Sequence, residues 1–320
     1  MANQKSEVGE LEHIGEILLD DQAVAEQVEK VKQERNAVIL AHNYQRPEIQ
    51  DIADYTGDSL GLARQASGTD ADVVVFCGVH FMAETAYILS PEKVILLPEL
   101  EAGCPLADMA TPEEVRKTRS ENPGSVVVSY VNTSAAVKAE SDYCCTSSNA
   151  VKVVNAVEGD IVIFVPDRNL AAYVEGQVDK RIIAWDGYCP VHENITLEQV
   201  LEALSDHPGA EVIAHPECRQ HVLAVAHHVR STSGMVDAAL SSNAGEFIIA
   251  TEEGIIYPLS KAVPEKRFYR PAGEHICPNM KLITLSEVLW ALQTLEPRVT
   301  VAEDIRVRAL GAVERMLALG

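Results

Sequence analysis

Three polar trios, His42-Asn43-Tyr44, Tyr130-Val131-Asn132 and His215-Pro216-Glu217, each follow a short apolar run. Seventeen residues after the first member of each trio stands a hydroxyl: Ser59, Ser147 and Thr232. A cysteine followed by proline comes 62, 59 and 62 residues after the same starting points, at Cys104, Cys189 and Cys277. Imidazole, phenol and carboxylate groups can orient or move protons. A hydroxyl just before a helix caps backbone N–H groups, and helix N-termini attract anions. Thiolates bind metals or clusters. One order of features, repeated three times, argues for three homologous units of about 85 residues whose polar ends serve one site.

The cysteines divide in the same way. Only Cys104, Cys189 and Cys277 are followed by proline, and only they occupy repeat-equivalent positions. Three thiolates on a 4Fe–4S cluster would leave one iron open as a Lewis acid. Zinc held by three cysteines and one histidine, with His192 or His275 nearby, is the rival, and the residues alone leave the two level. Cys77, Cys144, Cys145 and Cys218 read as packed or free thiols. His207, His221, His227 and His228 read as solvated or structural, and the runs Glu113-Glu114 and Glu252-Glu253 as solvated faces.

The elements that must position these residues are short β-branched runs alternating with helical patterns, which predicts an α/β fold with parallel strands. Nine strands are expected: Ala37–Ala41, Val73–Cys77, Val94–Leu97, Val126–Val128, Ile161–Val165, Arg181–Trp185, Glu211–Ala214, Phe247–Ala250 and Arg267–Tyr269. Helical patterns occupy Leu60–Ala66, Met82–Leu89, Ala150–Val157, Leu170–Val174, Gln220–Val229 and Met235–Leu240, with amphipathic stretches at Leu11–Lys32 and Ser286–Leu319. The first unit then covers residues 1–107, with the helices of 281–320 packing on it. The second covers 108–193 and the third 194–280, with linkers near Ala107–Pro123 and Val191–Pro208. Ligands bind beyond the carboxyl ends of strands in such sheets, so three inward-facing edges would share a central cavity.

The chain has 320 residues, 47% of them hydrophobic, with 26 basic and 48 acidic residues for a net charge of −22. Such a surface disfavours nucleic acid and anionic membranes. It also requires a local positive field for any anionic substrate, from helix ends or a metal. The charged N-terminus does not read as a signal peptide, and no apolar run is long enough to span a membrane, so a cytoplasmic location is expected.

The segments AHNYQRPEIQDIADYTGDSL, ELEAGCPLADM, YVNTSAAVKAESDYCCTSSNA, VPDRNLA, WDGYCPVHE, IAHPEC, STSGM and HICPNMK resemble quinolinate synthase from about residue 37 to 281. The resemblance implies three three-layer α/β/α domains in pseudo-threefold array around a central site. It implies synthesis of quinolinate from iminoaspartate and dihydroxyacetone phosphate, with release of phosphate and water, for NAD biosynthesis. It also implies one 4Fe–4S cluster held by Cys104, Cys189 and Cys277, with one open iron. Substrate contacts would come from His42, Ser59, Tyr130, Val131, Asn132, Ser147, His215, Pro216, Glu217 and Thr232. Tyr44 and Glu217 are the acid–base candidates, and His192 touches substrate or supports the cluster. An L-aspartate oxidase would supply the imine. Some members carry further cysteines after the third ligand; here Pro278-Asn279-Met280-Lys281 follows, so a switch built on them is absent. Competing readings are another 4Fe–4S hydro-lyase, a cluster-based redox sensor and a structural zinc protein.

Overall fold

The computed structural model describes residues 21–320; the part of the expected first helix over 11–20 lies outside them, and 21–34 are helical. The chain forms three parallel four-stranded sheets. The first contains β1 (Ala37–His42), β2 (Tyr55–Gly57), β3 (Val73–Cys77) and β4 (Val94–Leu96). The second contains β5 (Val126–Tyr130), β6 (Tyr143–Cys145), β7 (Ile161–Val165) and β8 (Arg181–Ala184). The third contains β9 (Glu211–Ala214), β10 (His228–Val229), β11 (Glu246–Ala250) and β12 (Arg267–Tyr269). The orders β2-β1-β3-β4, β6-β5-β7-β8 and β10-β9-β11-β12 are the same topology three times. The apolar runs form central strands because helices cover both faces of a parallel sheet; β3 is buried along its whole length.

The sheets have twelve strands, not nine. The three extra ones, β2, β6 and β10, are edge strands of two or three residues without a β-branched run. Each is introduced by the same device, twelve residues beyond the start of its trio. Asp54 accepts the N–H of Ile39 at 2.8 Å, Asp142 that of Val127 at 2.8 Å, and His227 Nδ1 that of Val212 at 2.9 Å. A side chain thus satisfies the inner-strand donor that so short an edge strand cannot reach. The expected helix Gln220–Val229 accordingly ends at Leu223, because His228 and Val229 pair with Ile213 and Ala214.

The expected linkers carry helices, Pro112–Glu121 and Leu197–Asp206. Each opens on a capping box seven residues after a Cys-Pro cysteine, Thr111 with Glu114 and Thr196 with Gln199; Thr284 with Glu287 does the same for Leu285–Thr294. The C-terminal region is two helices. Leu285–Thr294 packs against β3, whereas Glu303–Ala318 lies against His80–Leu89 of the first unit and against Ala135–Lys138 and β6 of the second. The last helix therefore bridges two units rather than resting on the first alone. It buries Ala309, Ala312, Val313 and Met316.

Strand order reverses between the first and third strands of each unit, so a crevice opens beyond their carboxyl ends. The trios end β1, β5 and β9 at that crevice.

Candidate active site

One cavity is lined by all three units. His42, Tyr44, Ser59 and Cys104 come from the first, Tyr130, Asn132, Ser147, Cys189 and His192 from the second, and His215, Glu217, Thr232 and Cys277 from the third. Val131 and Pro216, named with their trios, are not among its lining residues; Val131 is buried in the core and donates its N–H to Cys145.

The two histidine trios share one turn. Tyr44 N–H donates to His42 Nδ1 at 3.1 Å, and Glu217 N–H donates to His215 Nδ1 at 3.3 Å. With Nδ1 accepting, the ring proton sits on Nε2. Burial, with the charge of Lys281, pushes the pKa of His42 down to about 3; burial also pushes that of His215 down to about 3. Both rings are therefore neutral Nε2–H donors at pH 7. His215 Nε2 lies 3.2 Å from Ser147 Oγ.

The three hydroxyls are not caps. Asp58 caps the helix Ser59–Gly68 by accepting from Gly61 N–H at 2.9 Å, and Ser231 caps Thr232–Ser241 by accepting from Gly234 N–H at 3.4 Å. Ser147 precedes the helix Ala150–Ala156 by three residues, with Asn149 at its N-cap. Because the neighbouring residue takes the capping role, Ser59 and Thr232 stand at the first helical position with their hydroxyls available. The first and third units interlock there: Asn43 Nδ2 donates to Thr232 Oγ1 at 2.8 Å, and Ser231 Oγ donates to Asp58 at 3.3 Å.

Cys104, Cys189 and Cys277 meet on the cavity wall, and all seven cysteines are free. Burial, then Cys277 and Glu217, push the Cys104 thiol up to about 12. Burial, then Glu217, raise Cys189; burial, then Glu252, raise Cys277. Three thiols that burial and neighbouring negative charge keep protonated fit a site completed by a cationic group, which would supply the charge their thiolates lack. Among the described residues, the one set of three Cys, His or carboxylate donors within 4.8 Å of one another is Cys189, His192 and Glu217.

Two of these cysteines are gripped alike. Asp167, fully buried after β7, accepts the Cys189 N–H at 3.2 Å and the Leu170 N–H at 2.7 Å. Glu252, fully buried after β11, accepts the Cys277 N–H at 3.1 Å and the Gly254 N–H at 2.7 Å. Glu252 is thus not part of a solvated acidic face. Lys281 lies 3.0 Å from it and also donates to the Tyr44 carbonyl. A side chain at position 254 would meet Lys281 Nζ at 2.6 Å and the Tyr44 oxygen at 2.7 Å, so only glycine lets these groups close. Asp167 and Glu252 each stand 37 residues beyond Tyr130 and His215, a repeat signal that extending the comparison would have found.

Glu217 is buried within the proton-handling set. Burial works against its charge, yet contacts with His192 and His215 hold its carboxyl below the usual range. Of the two, His192 makes the closer contact, with Nδ1 2.7 Å from Oε2 and off the ring N–H direction. Burial raises the Tyr44 phenol well above its usual value, against a hydrogen bond to Thr251. Two lysines touch residues of the lining: Lys281 is paired with Glu252, and burial lowers the pKa of Lys138. Lys138 is fully buried, donates to the Thr133 carbonyl and lies 5.4 Å from the centroid of the cavity-lining Phe81 ring. Neither lysine was singled out in the sequence, because a lone lysine carries no spacing signal.

Residues 26–318 match the family model described as Quinolinate synthetase A protein. The protein named quinolinate synthase of Methanosarcina barkeri is 54% identical over 294 residues, covering 92% of this chain and 97% of the relative. That of Desulforudis audaxviator is 54% identical over 302 residues, covering 94% and 99%. That of Geobacter metallireducens is 54% identical over 296 residues, covering 92% and 97%.

Proposed function

The chain belongs to the quinolinate synthase family of enzymes, and from that premise we propose that it condenses iminoaspartate with dihydroxyacetone phosphate to quinolinate, phosphate and water in NAD biosynthesis. The observation that carries this reading is the convergence of one cysteine and one polar trio from each unit on a single cavity. We assign one 4Fe–4S cluster to Cys104, Cys189 and Cys277. When bound, it supplies an iron without a cysteine ligand that can polarise an oxygen or nitrogen as a Lewis acid. A single zinc ion with bonds of about 2.3 Å needs sulfurs about 3.8 Å apart, whereas these three do not form a set within 4.8 Å. That spacing favours a polynuclear group over a three-cysteine zinc site.

The residues divide the work by chemistry. His42 and His215 offer Nε2–H donors to the substrate carboxylates, with Ser59, Ser147 and Thr232 beside them. Asn132 Oδ1 is buried without a partner, which suits an acceptor for the N–H of the imine. Glu217, held as a carboxylate, removes the proton from carbon, and Tyr44, held as a phenol, gives one to the departing oxygen. Tyr130 lines the wall beside Glu217. An L-aspartate oxidase would supply the unstable imine, and a cytoplasmic setting would spare the cluster. Among the described residues no helix is long and apolar enough to cross a membrane.

Cys189, His192 and Glu217 also suit one mononuclear ion, so metal analysis comes first. Protein purified without oxygen should contain iron and labile sulfide and form quinolinate from dihydroxyacetone phosphate and freshly generated iminoaspartate. Cys104→Ala, Cys189→Ala and Cys277→Ala should each abolish both. Fully loaded protein without product would reject the activity and favour another cluster-dependent hydro-lyase or a redox sensor; zinc without sulfide would reject the cluster.

A further inference from the structure

The first and second units each close their trio from behind with a donor at one equivalent position. Gln50 and Lys138 both stand eight residues after the first member of their trio, in the short helix that follows it, Pro47–Ile52 or Ala135–Lys138. Gln50 Nε2 donates to the Gln45 carbonyl at 2.9 Å and to the Asn43 carbonyl at 3.2 Å. Lys138 Nζ donates to the Thr133 carbonyl, and Gln45 and Thr133 are again equivalent, three residues after the start of their trios. The third unit has Leu223 at this position, which has no donor to offer.

A lysine is costly here. Lys138 is fully buried, and among the described residues the Thr133 carbonyl is its one hydrogen-bond partner. Taking its amino group out of water with so few partners works against folding. Leu223 shows that the same helix of the same unit is built with an apolar side chain. The fold therefore does not demand a lysine, and the loop that Lys138 holds gives the reason for one. Thr133 N–H donates to the Val131 carbonyl at 2.8 Å, and Thr133 Oγ1 donates to the Tyr130 carbonyl at 3.0 Å, so residues 130–133 form a tight loop. That loop carries the cavity-lining Asn132, whose Oδ1 is buried without a partner. Lys138 Nζ also lies over the Phe81 ring of the first unit, which lines the same cavity. One side chain thus ties the loop of the second unit to a wall residue of the first.

We propose that Lys138 is a positioning residue: its hydrogen bond to the Thr133 carbonyl fixes the loop that presents Asn132, and so sets how tightly the imine substrate is held. The inference rests on the quinolinate synthase reading and adds a residue to it. Lys138 does not line the cavity and takes no part in proton transfer; it acts through the Asn132 acceptor. A displacement of about 1 Å at such a contact is enough to cost about a hundredfold.

The repeats supply the test. Lys138→Gln installs the donor of the first unit, and Lys138→Leu the apolar side chain of the third. Both are loaded without oxygen and matched to wild type for iron and sulfide content. Lys138→Leu should raise KM for iminoaspartate by at least about tenfold, with kcat falling less than KM rises. Lys138→Gln should keep both within about threefold of wild type. Asn132→Ala closes a cycle: because Lys138 acts through Asn132, adding Lys138→Leu to it should lower kcat/KM by less than about twofold further. Lys138→Met, which keeps the length without the donor, replaces Lys138→Leu if that variant does not fold. An unchanged KM in loaded Lys138→Leu overturns the positioning role and leaves the proposed function standing. Failure of Lys138→Gln to keep the wild-type KM, or losses that multiply in full in the double variant, make Lys138 a packing residue and also overturn it. Fully loaded wild-type protein that makes no quinolinate overturns the proposed function, and the positioning role with it.

Discussion

The second and third units hold their cysteines in one way and the first unit in another. Asp167 and Glu252, each the second residue after the third strand of its unit, grip the backbone N–H of Cys189 and Cys277. The equivalent position in the first unit is Val79, which offers no side-chain acceptor. The Cys104 loop is held instead by Asn279 of the third unit, which donates to the Gly103 carbonyl at 2.8 Å, and by the backbone bond from His80 N–H to Ala102. The trios divide differently: units one and three carry a neutral histidine, unit two a tyrosine. Three copies of one fold thus differ at the positions where they meet. A buried carboxylate over each of three cysteines would concentrate negative charge around thiolates that already need a cation. Hydrogen bonding the first loop through an uncharged amide avoids that cost.

Breaking the carboxylate grip should have the largest effect. Glu252→Ala leaves Lys281 without its buried partner and orphans two N–H groups, so unfolding free energy should fall by roughly 3–5 kcal/mol in denaturant titration. A loss below about 1 kcal/mol would mean that the grip is not what secures the third cysteine loop.

The histidine units should sharpen the second division through pH. His42 and His215 titrate near 6.5 when unfolded but at about 3 when folded. Between these values the unfolded chain binds more protons, so stability is greatest above pH 6.5 and declines on acidification toward 3. The two together can contribute no more than about 2.7 kcal/mol per pH unit. Urea unfolding at pH 7.0, 6.0 and 5.0 should show this slope flattened in His42→Gln/His215→Gln. Tyr130→Phe should leave it intact, since burial raises the Tyr130 phenol well above its usual value and out of this range. An unchanged slope in the double variant would show that the two rings are not buried neutral.

Asp167→Asn has a milder expectation than Glu252→Ala, because it keeps one acceptor and strands no cation. It should cost about 1–3 kcal/mol and speed iron loss to a chelator, since one of the two N–H partners loses its acceptor. Equal iron retention in variant and wild type would separate folding from cysteine positioning. Asn279→Ala, which removes a single neutral hydrogen bond, should cost about 1 kcal/mol, measured in the same way. A cost matching that of Glu252→Ala would erase the distinction between the units.

Much of this was legible in the chain. The central strands, the repeat and the cavity-lining cysteines and trios follow from local apolar runs and fixed spacings, which survive without knowledge of what touches what. The edge strands β2, β6 and β10 were not legible, because two or three residues carry too little pattern. The helices in the expected linkers were written as capping boxes seven residues after each cysteine, but the polar face of Pro112–Glu121 hides its period. Glu252 read as solvated beside Glu253 because a carboxylate pair signals a surface until a lysine 29 residues away is folded onto it.

The sequence by itself therefore determined the units and their chemically equipped ends, because helix and strand periods and repeat spacings are local properties of the chain. The tertiary structure decided which of those ends complete one another: which residue caps each helix and frees Ser59 and Thr232, which carboxylate grips which cysteine, and that Lys138 stands over Phe81 of another unit. Those are contacts between residues far apart in the chain, fixed by how the three sheets pack against one another rather than by any neighbouring residue.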